Sequence, residues 1–322
     1  MIFLKTRFAT TWLLASGLFV GCAAESVDTA VATASSSTTA STAAPTTAPT
    51  TATTAATTTA TTAATTTATT TATTATSSTT STTTSTTTIP IPTPIGAEVP
   101  FVPLDLTADQ VALGTSVEGR PIVAERSGLA GGRRVLVIGV IHGDEDAGVA
   151  IVQELRQRNA PEGVELWLVE GMNPDGVANQ TRQNANQVDL NRNFPYKWGS
   201  LGEPGDGQYA GIGPASEPET QAMVNFISQL QPDIVLWYHQ DLYVISPSTG
   251  RDGEIRARYA ELTGLPIGEI TGGVYTGIAA TWARKSLEPQ GSVAFIVELG
   301  PTLSADEATT HANAVLTIAV EG

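Results

Sequence analysis

From Ala23 to about Thr88 the chain consists almost entirely of threonine, alanine and serine, in stretches such as TTAPTTATTAATTTATT. This tract limits the possible fold more than any other feature. It carries almost nothing apolar to bury, so no contact can offset the entropy of ordering it. Residues 23–96 are therefore expected to form a disordered stalk of the Ser/Thr-rich, O-glycosylatable kind, closed by the proline-rich IPIPTPIGAEVP. Fully extended at ~3.3 Å per residue, such a tether reaches about 200 Å. Any core must come from residues 97–322, a length that suits one large α/β domain.

The N-terminal MIFLKTRFATTWLLASGLFVGC orders two cations, an apolar run and a small-residue end, which is the pattern of a secretory signal over residues 1–22. Its ending, LFVGC, resembles a bacterial lipoprotein cleavage site with Cys22 as the lipidated residue. The expectation is an exported envelope lipoprotein held to a membrane through Cys22, or a secreted protein if Cys22 carries no lipid. Cys22 is the only cysteine, so an intrachain disulfide is impossible. Before Gly96, Lys5 and Arg7 balance Glu25 and Asp28, so the whole net charge of −15 belongs to the folded part. An acidic domain of this kind is a poor partner for nucleic acid or an anionic membrane surface.

Four continuous apolar runs bounded by turn residues read as buried strands: RVLVIGVIH, VELWLVEG, DIVLWYH and VAFIVELG. Helical spacing lies between them in DAGVAIVQELRQR, in SEPETQAMVNFISQL, which opens with Ser216 and Glu219 in capping-box register, and in DGEIRARYAEL. The final SADEATTHANAVLTIAV is a further helix. The alternation predicts an α/β fold with a mostly parallel or mixed sheet covered on both faces. In such sheets ligands gather at the carboxyl ends of the strands, where His142, His239 and Glu298 all fall.

His142 and Glu145, three apart on a turn leaving a strand, can converge on one point, and an imidazole plus a carboxylate is a normal zinc pair. A catalytic site needs one more protein ligand, which must come from far along the chain. Of the two remaining histidines, His239 closes a strand, whereas His311 lies in a polar stretch and reads as a surface residue. Glu298 sits inside an apolar strand, where an acid is costly without a partner; a cation or a buried arginine would supply one. Arg182 and Arg192 lie among amides and turn residues, in positions suited to gripping carboxylates or polarised carbonyls.

HGDE, NPDG, VDLNRNFP, YHQ and VELG follow one another in the order of the zinc carboxypeptidase (carboxypeptidase A-like) family, which the region from about Val135 to Pro301 resembles. Within it, HGDEDAG, VDLNRNFP and YAGIGPASEPET look most like murein peptide amidase A-like bacterial peptidases, which cleave the γ-D-glutamyl–diaminopimelate bond. The resemblance implies a three-layer α/β/α sandwich around a mixed, mostly parallel eight-stranded sheet. It implies one Zn²⁺ held by His142, Glu145 and His239, with Glu298 as general base and Arg182 polarising the scissile carbonyl. Asn191 and Arg192 match the pair that grips the substrate carboxylate. Tyr275 is nearest to the family's mobile tyrosine, with its register from Trp282 off by about two residues. A monomer acting on a peptide or murein peptide is expected. Two alternatives remain: an N-acyl amino acid deacylase of the succinylglutamate desuccinylase or aspartoacylase type, and a wall-binding lipoprotein without turnover. NPDG, ASEPET and export on a stalk favour the peptidase over the first. The presence of all four candidate ligand and base residues disfavours the second.

Overall fold

The computed structural model describes residues 98–322. The signal over residues 1–22, Cys22 and the whole stalk of residues 23–96 lie outside the described residues. Six strands, β1 (Gln110–Thr115), β2 (Pro121–Gly128), β3 (Arg133–Ile138), β4 (Val164–Val169), β5 (Ile234–Gln240) and β6 (Val293–Leu299), form one sheet in the order β1-β2-β4-β3-β5-β6. β4, β3, β5 and β6 run parallel, while β1 pairs with β2 and β2 with β4 antiparallel.

The parallel strands are buried on both faces, which is why they read as unbroken apolar runs. Leu136, Ile138, Trp167 and Trp237 pack on one side with Met223 and Phe226 of α3 (Pro218–Leu230) and Trp282 of α5 (Ala279–Ser286). Val135, Val137, Leu166 and Leu236 pack on the other. There they meet Ile151 and Leu155 of α1 (Gly148–Arg156), Tyr259 of α4 (Gly250–Thr263) and Val315 and Ile318 of α6 (Ala305–Glu321). The result is the three-layer α/β/α sandwich.

Three expectations need correction. The sheet has six strands among the described residues rather than eight. Beside β5 and β6 the chain makes only isolated bridges, Val244 with Glu298 and Ile245 with Ile267. Pro247 and Pro266 lie next to those bridges and lack the N–H that would extend a ladder. The capping box at Ser216 and Glu219 does not form. Glu217 is the N-cap of α3, and the Glu219 carboxylate instead accepts from Val117 N (3.0 Å) and Asn184 Nδ2 (3.0 Å). A complete capping box closes the start of α6, between Ser304 and Glu307. His311 is not a surface residue: it is 5 % exposed and lies on the buried stripe of α6 with Ala308, Ala312 and Val315.

Candidate active site

Three adjacent parallel strands bring the candidate residues together. His239 and Glu298 are register partners on β5 and β6, and His142 lies on the loop that leaves β3, the neighbour of β5 on its other side. His142, Glu145 and His239 each offer one ligand atom, all within 4.8 Å of one another. His239 Nδ1 lies 2.9 Å from Glu145 Oε2, and His142 Nδ1 lies 2.9 Å from Glu145 Oε1. The latter pair is poorly aligned for a hydrogen bond, and His142 Nδ1 is buried without a partner.

The turn that carries His142 depends on close backbone contact. A Cβ on Gly143 would stand 1.9 Å from the carbonyl carbon of Gly176, in α2 (Pro174–Asn179), so only glycine fits. Asn173 caps α2 through Oδ1, which accepts from Gly176 N (2.9 Å), while its Nδ2 donates to Ile141 O (3.1 Å) and Arg182 O (3.3 Å). The NPDG segment thus fixes both the strand end before His142 and the loop bearing Arg182. Of the three acids in HGDED, only Glu145 turns inward. Asp144 and Asp146 are exposed just before α1, where negative charge suits a helix N-terminus.

Asp189, given no role from sequence, is the buried organiser of the site. Its Oδ1 lies 3.0 Å from His142 Nε2 and accepts from Asn191 N (2.9 Å), while Oδ2 accepts from Arg182 Nε (3.1 Å) and NH2 (3.0 Å). A carboxylate on the far nitrogen fixes an imidazole's tautomer and raises its basicity as a ligand. Gln240 was also missed: its Oε1 accepts from Ala147 N (2.9 Å) and its Nε2 donates to Gly300 O (3.2 Å). It thereby ties the Glu145 turn to the end of β6. The available signals were the acid inside VDLNRNFP and the amide directly after His239.

Arg182 NH1 donates to Glu145 Oε1 at 2.7 Å, so this guanidinium bridges Glu145 and Asp189 at the rim of the cluster. Arg192 is buried, with NH1 on Asn191 O (2.9 Å) and Nε unpartnered. Asn191 Oδ1 accepts from Ala279 N (3.0 Å), which leaves its Nδ2 toward His239 Nε2 at 3.4 Å. Tyr275 sits at the lip of the cavity, half-exposed, with the Arg192 guanidinium 5.7 Å from its ring centre.

The electrostatics favour a cation. Burial alone would raise the Glu145 carboxyl, yet the two imidazoles beside it, His142 in close contact and His239 hydrogen-bonded, hold it far below the ordinary range. Burial disfavours charge on His142, but the Asp189 carboxylate outweighs it and raises its affinity for a proton. Glu298 behaves oppositely: burial, then the nearby Glu145 charge, pushes it up to about 7. Its Oε2 is buried without a partner. Burial first, and then the neighbouring His142, lowers the proton affinity of His239, and two imidazoles with one ionised carboxylate fit a zinc ion with one open position.

A fold of this kind with such a cluster at the strand ends defines a metal-dependent hydrolase. Residues 107–247 match the zinc carboxypeptidase family model, and the chain belongs to that family. It is a zinc metallopeptidase by class. It is 31 % identical over 207 residues to murein peptide amidase A of Escherichia coli (strain K12), covering 61 % of this chain and 83 % of that one. The Vibrio campbellii enzyme of the same name is 29 % identical over 204 residues, 60 % of this chain and 79 % of that one. Among solved structures, murein-tripeptide amidase MpaA from Escherichia coli O157 superposes with a TM-score of 0.54 at 27 % identity, covering 68 % of this chain and 93 % of that one. Carboxypeptidase A from Helicoverpa armigera, at 18 % identity and TM-score 0.57 over 66 % of this chain and 67 % of that one, shares the fold.

Proposed function

We propose that this chain hydrolyses an amide bond next to a free carboxylate in cell-wall peptides, with the γ-D-glutamyl–diaminopimelate bond as its target. The observation that carries the reading is a single cavity holding the His142–Glu145–His239 cluster, Glu298 and the under-satisfied Arg192. The names of the amidase relatives support the choice of substrate.

In this reading His142, Glu145 and His239 hold one Zn²⁺, which when bound lowers the pKa of a water from ~15.7 toward 7 and polarises a carbonyl. Glu298 takes a proton as water adds to the carbonyl carbon and returns it to the amine as the C–N bond breaks. An elevated affinity for protons suits both halves of that task. Arg182 keeps Glu145 ionised and offers N–H groups to the oxygen that gains charge. Asn191 Nδ2 and Arg192 hold the neighbouring carboxylate and so decide which amide faces Glu298. Tyr275 closes over Arg192 from the lip.

The N-terminal sequence supports an envelope protein, exported and held to a membrane through lipid on Cys22 or secreted without it. The stalk would give the enzyme reach within the wall. Incubating the zinc-loaded chain with murein tripeptide and with N-acyl amino acids, and weighing the products, tests the substrate. Release of diaminopimelate is expected. Cleavage of the N-acyl amino acids alone would move the chain to the deacylase class.

A further inference from the structure

The two faces of the antiparallel margin are covered unequally. On one face Val111, Leu113, Ile122 and Ala124 of β1 and β2 are buried with Ala222, Met223 and Phe226 of α3. The pleat turns the alternate residues Gln110, Pro121, Val123 and Glu125 to the opposite face. There they line a groove of about 350 Å³ between β2, α1 and α2, a volume within the range of small-ligand sites. Its apolar surface comes from Pro121, Val123, Val140, Val149, Pro174 and Val177. No residue lining it also lines the cavity over the His142–Glu145–His239 cluster.

One charged trio borders this groove. Arg156 of α1 grips Glu125 through Nε (2.7 Å) and NH2 (3.1 Å), and its NH1 donates to Glu170 Oε2 at 2.8 Å. Two carboxylates share one guanidinium, so one negative charge stays unbalanced beside an apolar floor. All three side chains are partly exposed and can meet a ligand without being stripped of water. A purely apolar occupant would cover the floor and leave that charge unanswered. A bare cation would use the charge and not the floor, and an anion would meet two acids and an arginine already engaged. The fitting occupant has an aliphatic stem with a cation at its tip. Of the two basic side chains, lysine has the longer apolar stem and the more compact charge.

We propose that the groove between β2, α1 and α2 is a second binding site, which takes a lysine side chain of a peptide. The stem lies along Val123, Val149 and Val177, and the ammonium pairs with Glu170.

The test uses acetylated, amidated tripeptides with glycine on both sides of lysine, norleucine or diaminopropionate. Their blocked ends deny Asn191 and Arg192 a free carboxylate. Binding to the zinc-loaded full chain is followed by the methyl resonances of Val123, Val149 and Val177. The lysine peptide is expected to saturate these shifts with a Kd below about 10 mM. Norleucine, without the charge, should bind about threefold to fivefold more weakly, as a partly exposed ion pair allows. Diaminopropionate, three methylenes shorter, should lose at least about tenfold. Glu170→Gln should erase the preference for lysine over norleucine, and Val123→Lys, which places its own stem and ammonium in the groove, should abolish binding of the lysine peptide. Cleavage of murein tripeptide, measured on the same samples, should be unchanged in both variants and reports the hydrolase reading separately. Shifts confined to residues outside the groove, equal affinity for all three peptides, or a lysine preference that survives Glu170→Gln overturns the site.

Discussion

Tyr238 and His239 are neighbours on β5, yet they belong to two buried polar clusters of opposite character. Tyr238 OH lies 2.7 Å from Tyr259 OH, which in turn lies 2.8 Å from His311 Nδ1, and the chain links β5, α4 and α6 on the face of the sheet that α1, α4 and α6 cover. Burial keeps it neutral, raising both tyrosines and pushing His311 down to about 4. His239 belongs to a cluster where His142 Nδ1, Arg192 Nε and Glu298 Oε2 are buried without partners. An unsatisfied buried polar atom costs about 1–3 kcal/mol, so three in one cavity are not retained for stability. The satisfied chain holds helices to the sheet, while the unsatisfied one is set for a ligand.

The comparison breaks most sharply at Glu298. Replacing it with glutamine keeps the size and removes the proton acceptor. Zinc content is expected to stay the same while kcat falls by about 10³-fold. A metal-replete Glu298→Gln enzyme with near-normal turnover would deny Glu298 its role.

Asp189 gives the next effect, through another residue. In Asp189→Asn, His142 Nε2 loses its carboxylate and Arg182 loses half of its charge partners. Zinc affinity, measured by competition with a chelator, is expected to drop by roughly 10–100-fold. An unchanged affinity would mean that the ligand cluster needs no support from this loop.

What could be read in the sequence divides along the same physical line. RVLVIGVIH, DIVLWYH and VAFIVELG declare themselves because strands buried on both faces must be apolar throughout, and the residues that interrupt them at the ends stand out. β1 and β2 do not: QVALGT and PIVAERSG mix buried and exposed positions and pair only at the antiparallel margin. His142, His239 and Glu298 were legible as polar residues at apolar strand ends. Asp189 was not, because it sits among polar neighbours in a turn whose burial comes entirely from tertiary packing. His311 was hidden in the same way. Thr309, Thr310 and Asn313 surround it in sequence, but the helical turn sends His311 inward with Ala308 and Val315. Linear neighbours report composition, whereas burial follows the period of the element.

The smallest effect belongs to the satisfied chain, and it has a sign. His311 is depressed to about 4 from an ordinary value of 6.5, so between those pH values the unfolded chain binds the extra proton and the native chain does not. Stability therefore falls as pH drops through 6.5 and levels off below 4, a loss of at most about 3 kcal/mol from this group. In His311→Gln, an oxygen can still accept from Tyr259 but nothing titrates there. Urea unfolding of both proteins at a series of pH values isolates His311, because every other group is common to the two. The variant is expected to be less stable at pH 7 and to close the gap by pH 4, with zinc affinity unchanged throughout. A gap that stays constant with pH would mean that His311 is not held neutral by burial, and the two clusters flanking β5 would no longer differ in the way argued here.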